Sequence, residues 1–169
     1  MDANALRALQ APLKERYKQD PKAALVTFAA RATLDGERVA CQVETRGGPV
    51  VAGLHPAAGG TGEDVCSADM LLQALVACAG VTLKAVATAM EIPLRAGIVR
   101  AEGEIDFRGT LGVDRATPVG FKAIRLYAEL DTDAPQEKLD KLLQLTERYC
   151  IVFQTLAGQA QLTAKVARP

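Results

Sequence analysis

Four cysteines and a single histidine, His55, are the residues of this chain that carry the widest range of possible chemistry. Cys78 stands in the run Leu71-Leu72-Gln73-Ala74-Leu75-Val76-Ala77-Cys78-Ala79-Gly80-Val81-Thr82, where helical spacing puts Leu71, Leu75, Cys78 and Thr82 on one stripe. Cys150 closes another helical stripe, Leu139, Leu142, Leu143, Thr146, Cys150 and Phe153. A lone cysteine in either setting is by default a small buried hydrophobe. Two of them on apolar stripes open a second reading, thiol–disulfide chemistry, in which only the thiolate is a good nucleophile. The other cysteines fit packing roles, Cys41 on the apolar face of a strand and Cys66 at a helix start.

Other chemistries find less support. No pair of cysteines has C-x-x-C spacing and one histidine cannot complete a zinc site, so no metal or other cofactor is expected. A Ser-His-Asp arrangement would rest on His55 alone, and His55 is followed by Pro56. The run Gly59-Gly60-Thr61-Gly62 lacks the lysine and spacing of a phosphate loop and reads as a flexible connection.

The elements that must hold these thiols follow from periodicity. Residues 5–19 form a helix with Leu6, Leu9 and Leu13 on one face, ended by Pro21. The segment 24–33 is β-prone, Asp35-Gly36 is a turn signal, and residues 37–45 alternate with Val39, Cys41 and Val43 on one face. A short strand at 49–54 precedes a long loop, 54–64, of a length that is often functional. Ser67 fits an N-cap and Asp69 the first turn of a helix whose apolar residues lie on every side, predicting a helix surrounded by protein. Residues 97–108 alternate cleanly, with Val99, Ala101, Gly103, Ile105 and Phe107 inward; residues 121–131 repeat the pattern with Ile124, Leu126, Ala128 and Leu130 inward. A second helix starts near Pro135, read as a first-turn proline, and Gly158 breaks the chain before a last strand, 161–166. Strands, buried helix, strands, helix, strand: this order predicts an α+β fold with antiparallel sheet packed on two inner helices. All 169 residues fit a single domain, with residues 1–22 as an N-terminal helical extension.

Composition narrows the partners. Twenty basic and twenty acidic side chains cancel, aromatics are scarce and tryptophan is absent, which argues against nucleic acid. The N-terminus has no basic and apolar run of the signal-peptide type, and the most apolar stretch, 68–89, is interrupted by Asp69, Gln73, Thr82 and Lys84, a poor membrane span. The expectation is a soluble, cytoplasmic protein whose cysteine chemistry, where present, is transient and not a disulfide scaffold.

The segment Ser67-Ala68-Asp69-Met70-Leu71-Leu72-Gln73-Ala74-Leu75-Val76-Ala77-Cys78 resembles the first cysteine motif of the OsmC/Ohr family, the osmotically inducible and organic hydroperoxide resistance proteins. The segment Thr146-Glu147-Arg148-Tyr149-Cys150 resembles the second, and the separation and element order agree from about residue 24 onward. The resemblance implies an intertwined homodimer with sites at the subunit interface and a two-cysteine peroxidase acting on small organic hydroperoxides. Cys78 would be the peroxidatic residue and Cys150 the resolving one, with a dithiol, in this family often a lipoyl group, as reductant. An apolar pocket raises a thiol's pKa, and Cys78 lies too deep in its helix to use the N-terminal dipole, so the chemistry calls for a nearby cation. Arg31 is closest in placement to the family's activating arginine, while Arg38 and Arg46 flank the next strand. Peroxidase members carry a glutamate ten residues before the first cysteine; Ala68 stands there, beside Asp69, and Ile151 stands where many members have proline. Glu63, Asp64 and Glu147 are alternative partners for an arginine. Two other readings compete: a non-catalytic OsmC-like protein holding a small apolar ligand in the same interface cavity, and a structural dimer whose cysteines only pack.

Overall fold

Strict alternation over two long segments produces the strand pair that backs the core. In the computed structural model, which describes residues 1–167, β5 (Ala96–Ile105) and β6 (Phe121–Asp131) pair antiparallel, from Ala96 opposite Asp131 to Gly103 opposite Ile124, with a bulge at Glu104/Ile105. Val99, Ala101, Gly103 and Ile105 turn inward as their spacing requires, and Arg100, Glu102 and Glu104 turn to water, where they form a ladder of ion pairs with Arg125 and Glu129. Gly103 is required by packing, because a Cβ there would stand 2.3 Å from the Phe121 ring.

The first half of the chain builds a second sheet, β1 (Ala32–Leu34), β2 (Ala40–Val43), β3 (Val50–Gly53) and β4 (Val65–Cys66), in that order. The Asp35 side chain accepts hydrogen bonds from the Glu37 and Arg38 N–H groups, an Asx turn that reverses the chain between β1 and β2. β3 and β4 pair in parallel, the exception to an otherwise antiparallel architecture. The 54–64 connection is less structureless than its composition implies: Pro56–Ala58 form a 3₁₀ turn, and His55 stacks on Phe107 of the short helix α3 (Phe107–Thr110) at 5.2 Å.

Helix α2 (Ser67–Ala89) lies between these elements, against α4 (Gln136–Tyr149), α5 (Ile151–Gln154), β5 and the N-terminal helix α1 (Ala3–Gln19). It is long and apolar enough to cross a membrane, yet its buried residues pack into two core clusters. Its buried residues recur every fourth position, Leu75, Ala79, Leu83 and Ala87. Leu83 and Ala87 pack with Ile92 and Leu142, and Leu75 and Ala79 pack with Cys150.

Several expectations need correction. The central helix is not enclosed on all sides by its own chain, for Val81 and Leu71 are exposed. Its N-cap is Cys66 and not Ser67, and Pro135 is the N-cap of α4 and not a first-turn residue. Phe107 leaves the strand because Asp106 caps α3 instead, and Ala128 is exposed on β6. Of the β-prone segment 24–33 only residues from Ala32 onward join a ladder; Leu25 and Phe28 are 81% and 87% exposed. Residues 161–166 form no strand, although Gly158 does break the chain in a left-handed conformation (φ 97°). Both segments have strand-forming side chains and lack a neighbour to pair with in a single protomer.

The buried stripe of α4 can be checked directly. Leu142→Ala should lower unfolding free energy by about 2–5 kcal/mol in urea titration, and Leu143→Ala, at a position 42% exposed, by less than about 1 kcal/mol. Equal losses would show that the stripe is misassigned.

Candidate functional site

The site begins at a break in a helix. Cys150 ends α4, donating its N–H to the Thr146 carbonyl at 2.9 Å, then turns extended (φ −73°, ψ 109°). Its own carbonyl accepts from the Gln154 N–H at 3.0 Å, so the same residue is the N-cap of α5. The first N–H groups of a helix have no partner within it. Here those of Ile151 and Val152 are among the groups that lower the Cys78 thiol, and those of Phe153 and Val152 among the groups that lower Cys150. The Gln154 side chain spans the break, its Nε2 donating to the Glu147 carbonyl at 2.9 Å.

Cys78 reaches this break from the middle of α2. It is half-buried, while Cys150 is fully buried, and the two lie in one apolar cluster with Leu75, Ala79, Val99, Ala101 and Phe153. Both thiols are free, and each acts on the other's ionisation. Burial by itself pushes the Cys78 thiol up, but donation from the Val152 N–H, the Cys150 S–H, the Ile151 N–H and the Thr82 hydroxyl outweighs it, and Cys78 ends below an ordinary thiol. Cys150 moves the other way. Burial raises it, its Phe153 and Val152 N–H donors compensate only in part, and the neighbouring Cys78 charge raises it further. The two thiols are therefore pushed in opposite directions, Cys78 toward easier ionisation and Cys150 away from it. Such a pair can attack an electrophile through Cys78 and then close a disulfide.

The arginines are elsewhere in the protomer. Arg31 is 76% exposed beside β1 and pairs with Glu44 at 3.7 Å. Arg38 pairs with Asp35 and closely with Asp64, so Asp64 does meet an arginine. No arginine is among the groups that shift Cys78. Asp69 sits in the first turn of α2, and with Glu63, Asp64, Gln73 and Arg100 lines a cleft of about 660 Å³ that touches neither sulfur. Among the described residues no cluster of histidine, cysteine or carboxylate side chains could hold a metal ion.

A smaller apolar cleft, about 280 Å³, opens between β6 and the segment after Cys150. Leu75, Ile124, Leu126 and Phe153 belong both to its wall and to the packing around the thiols, and Phe121 and Leu156 complete it. Sequence reasoning placed both cysteines on buried stripes and missed the amides of Ile151 and Val152. Only the departure from proline at Ile151 hinted at them: a proline there would have no N–H to give.

Comparisons with known proteins agree with this architecture. The family model described as OsmC-like protein matches residues 60–165. An OsmC-like protein from Mycoplasma pneumoniae superposes with TM-score 0.65 at 17% identity, covering 79% of this chain and 89% of its own. An OsmC-like protein of unknown function from Vibrio cholerae gives TM-score 0.64 at 14% identity, with 78% and 94% covered. An organic hydroperoxide resistance protein from Legionella pneumophila gives 0.62 at 22% identity, with 79% and 93% covered. No curated protein sequence matches.

The opposed directions of the two thiols have a measurable consequence. In alkylation by iodoacetamide followed by mass spectrometry, Cys78 should be modified well before Cys150 at neutral pH. Replacing Cys150 by alanine removes a donor to the Cys78 thiolate, so the Cys78 pH profile should move to higher pH. An unchanged or lower profile would show that Cys150 does not support the Cys78 thiolate.

Proposed function

Because the chain belongs to the OsmC-like protein family, we propose that it is a thiol-dependent peroxidase that reduces organic hydroperoxides through Cys78 and Cys150. The observation that carries this reading is the pairing of a lowered thiol with a raised one inside an apolar cluster. Some structural neighbours are named as organic hydroperoxide resistance proteins, which is compatible with it.

The cycle runs as follows. The Cys78 thiolate attacks the terminal oxygen of the hydroperoxide; the O–O bond breaks, Cys78 becomes a sulfenic acid, and the alkoxide leaves and takes a proton to become the alcohol. The Cys150 thiol then condenses with the sulfenic acid, forming a disulfide and releasing water, which protects Cys78 from further oxidation. A dithiol, the lipoyl group of a partner protein being the favoured class, returns both cysteines to thiols by exchange and leaves as its own disulfide. The apolar cleft beside Phe121 and Phe153 accommodates the alkyl group of the substrate.

Two chains complete the protein on this reading. Leu25, Val26, Phe28, Val81 and Leu162 are all exposed in one protomer. An intertwined homodimer covers them. It also gives Arg31, whose contact with Glu44 is loose, a route to Cys78 across the subunit boundary. The domain is taken as the whole chain, with α1 as an N-terminal extension and the cytoplasm as its compartment.

Consumption of cumene hydroperoxide with dihydrolipoamide tests the assignment. Cys78→Ser should abolish turnover, Cys150→Ser should allow a single oxidation and then stall, and Arg31→Gln should lower kcat/KM by about 10²-fold or more. Full activity in the Cys78→Ser variant sinks the peroxidase reading. A wild-type protein that binds an apolar ligand yet forms no Cys78–Cys150 disulfide under peroxide would favour a binding role instead. Sedimentation at micromolar concentration should give a dimer; a monomer would remove the shared-site component.

A further inference from the structure

We propose that Gln154 is a positioning residue for the cysteine pair: its side-chain amide takes over the carbonyl that the break after α4 leaves open, and so holds the backbone of Cys150 in its bent form. The proposal rests on the reading of Cys78 and Cys150 as the reactive pair.

Its basis is the order of hydrogen bonds along a helix. In an unbroken helix each N–H donates to the carbonyl four residues earlier. The chain keeps that order as far as Cys150, whose N–H reaches the Thr146 carbonyl at 2.9 Å. The next bond of the series would run from Ile151 to Glu147. Cys150 is extended instead (φ −73°, ψ 109°), and the series restarts with the Gln154 N–H on the Cys150 carbonyl at 3.0 Å. The Glu147 carbonyl accepts from Gln154 Nε2 at 2.9 Å. A carbonyl left open in a half-buried place costs free energy until a donor reaches it. Gln154, seven residues on, supplies the donor that Ile151 withdraws.

The bond discriminates between two forms of the chain. In a continuous helix the Glu147 carbonyl is engaged by the main chain, and the Gln154 amide gains little there. In the bent form it gains a full hydrogen bond, so the glutamine shifts the balance toward the bend. Side chains on a helix lean toward its N-terminus, and Gln154 at the end of α5 therefore projects back over the break. Its N–H holds Cys150 while its Nε2 holds Glu147, a two-point clamp on the bent segment. What the bend positions is the thiol site. Cys150 is fully buried with Leu75 and Ala79, and Cys78 packs on the same cluster. The side chains around it from β5, β6 and α5 are Val99, Ala101, Ile124, Leu126, Val152 and Phe153, none of them charged. Cys150 is the titratable group among those acting on Cys78, and the Ile151 amide, which the bend releases, is another of those groups. Straightening the chain would return that amide to Glu147, and no neighbouring charge takes its place.

Gln154→Met keeps the length of the side chain and deletes the donor. Alkylation of Cys78 by iodoacetamide, followed by peptide mass spectrometry from pH 5 to 10, reads the thiol without any peroxide. In Gln154→Met the profile should move to higher pH and the rate at pH 7 should fall about fivefold, the scale of one hydrogen bond. Ile151→Pro separates positioning from packing. Ile151 is 72% exposed at the first position of α5, where proline is tolerated and demands the extended conformation that Cys150 already has. With the bend set by the ring, adding Gln154→Met should change the profile by less than about twofold. An unchanged Gln154→Met profile overturns the proposal, and so does an equal shift in both backgrounds, which would mark the glutamine as packing alone. Should methionine disturb the fold, by loss of the thermal transition, Gln154→Leu carries the same expectation. Peroxide turnover separates the two layers. Wild-type protein that consumes no hydroperoxide, with Gln154→Met displaced only where Ile151 is present, retires the peroxidase reading and leaves Gln154 in its role. Intact turnover with an unmoved alkylation profile retires Gln154 alone.

Discussion

The structure depends on a conflict between burial and charge that is settled at Cys150. A thiol enclosed by Leu75, Ala79, Val99 and Phe153 sits where an anion is disfavoured. The chain meets that cost with main-chain dipoles and does so by interrupting a helix. Had α4 continued through Cys150, the amides of Ile151 and Val152 would have been spent on carbonyls one turn back. The extended conformation at Cys150 releases them, and α2 delivers Cys78 to the place where they point. Charge-assisted bonds of this kind are shorter and stronger than neutral ones, and no cation is among the groups that lower Cys78.

That arrangement places demands on the rest of the chain. α2 must be rigid and correctly rotated, and its small residues make this possible: Ala79 and Ala87 allow close approach of α4 and β5, and Gly80 lies 3.9 Å, measured from an added Cβ, from the Val99 side chain. The β5–β6 pair supplies a flat apolar wall behind the thiols while keeping its charges in the ladder facing water. What one chain fails to supply is cover for the outer faces. The exposed segments are those whose composition asks for a strand, 25–28 and 161–166, and each lacks a neighbouring edge within the protomer. Strand propensity that finds no partner inside a chain is met most directly by a second copy, whose edges are by construction of matching length and chemistry.

Much of this was legible before any coordinates. The alternation in 97–105 and 121–131 announced the strand pair, because one dry and one wet face leave no other period. The stripe through Leu142, Thr146 and Cys150 announced the buried side of α4. The failures share a cause. Val39, Leu25, Leu162 and Val166 look like core in a linear reading, but burial is a property of the assembly, and a single chain leaves them outside. The caps at Cys66 and Pro135 were displaced by one residue, within the range over which helix ends are ambiguous. The amides of Ile151 and Val152 were invisible for a deeper reason: every residue but proline carries an N–H, so no side-chain pattern marks the few that are left unspent.

Two separable requirements emerge for a thiol that reacts with peroxide. The nucleophile must be ionised, and the departing alkoxide must be stabilised as the O–O bond breaks. The groups that lower the Cys78 thiol serve the first requirement, and their support of the anion weakens as charge leaves sulfur. Interactions that do not strengthen in the transition state do not lower the barrier from it. A group facing the peroxide oxygens is needed for that, and within the protomer the Cys78 environment contains none that is positively charged. On the proposed reading an arginine from across the subunit boundary would serve this second requirement, so that thiol reactivity and peroxide turnover would have distinct structural origins.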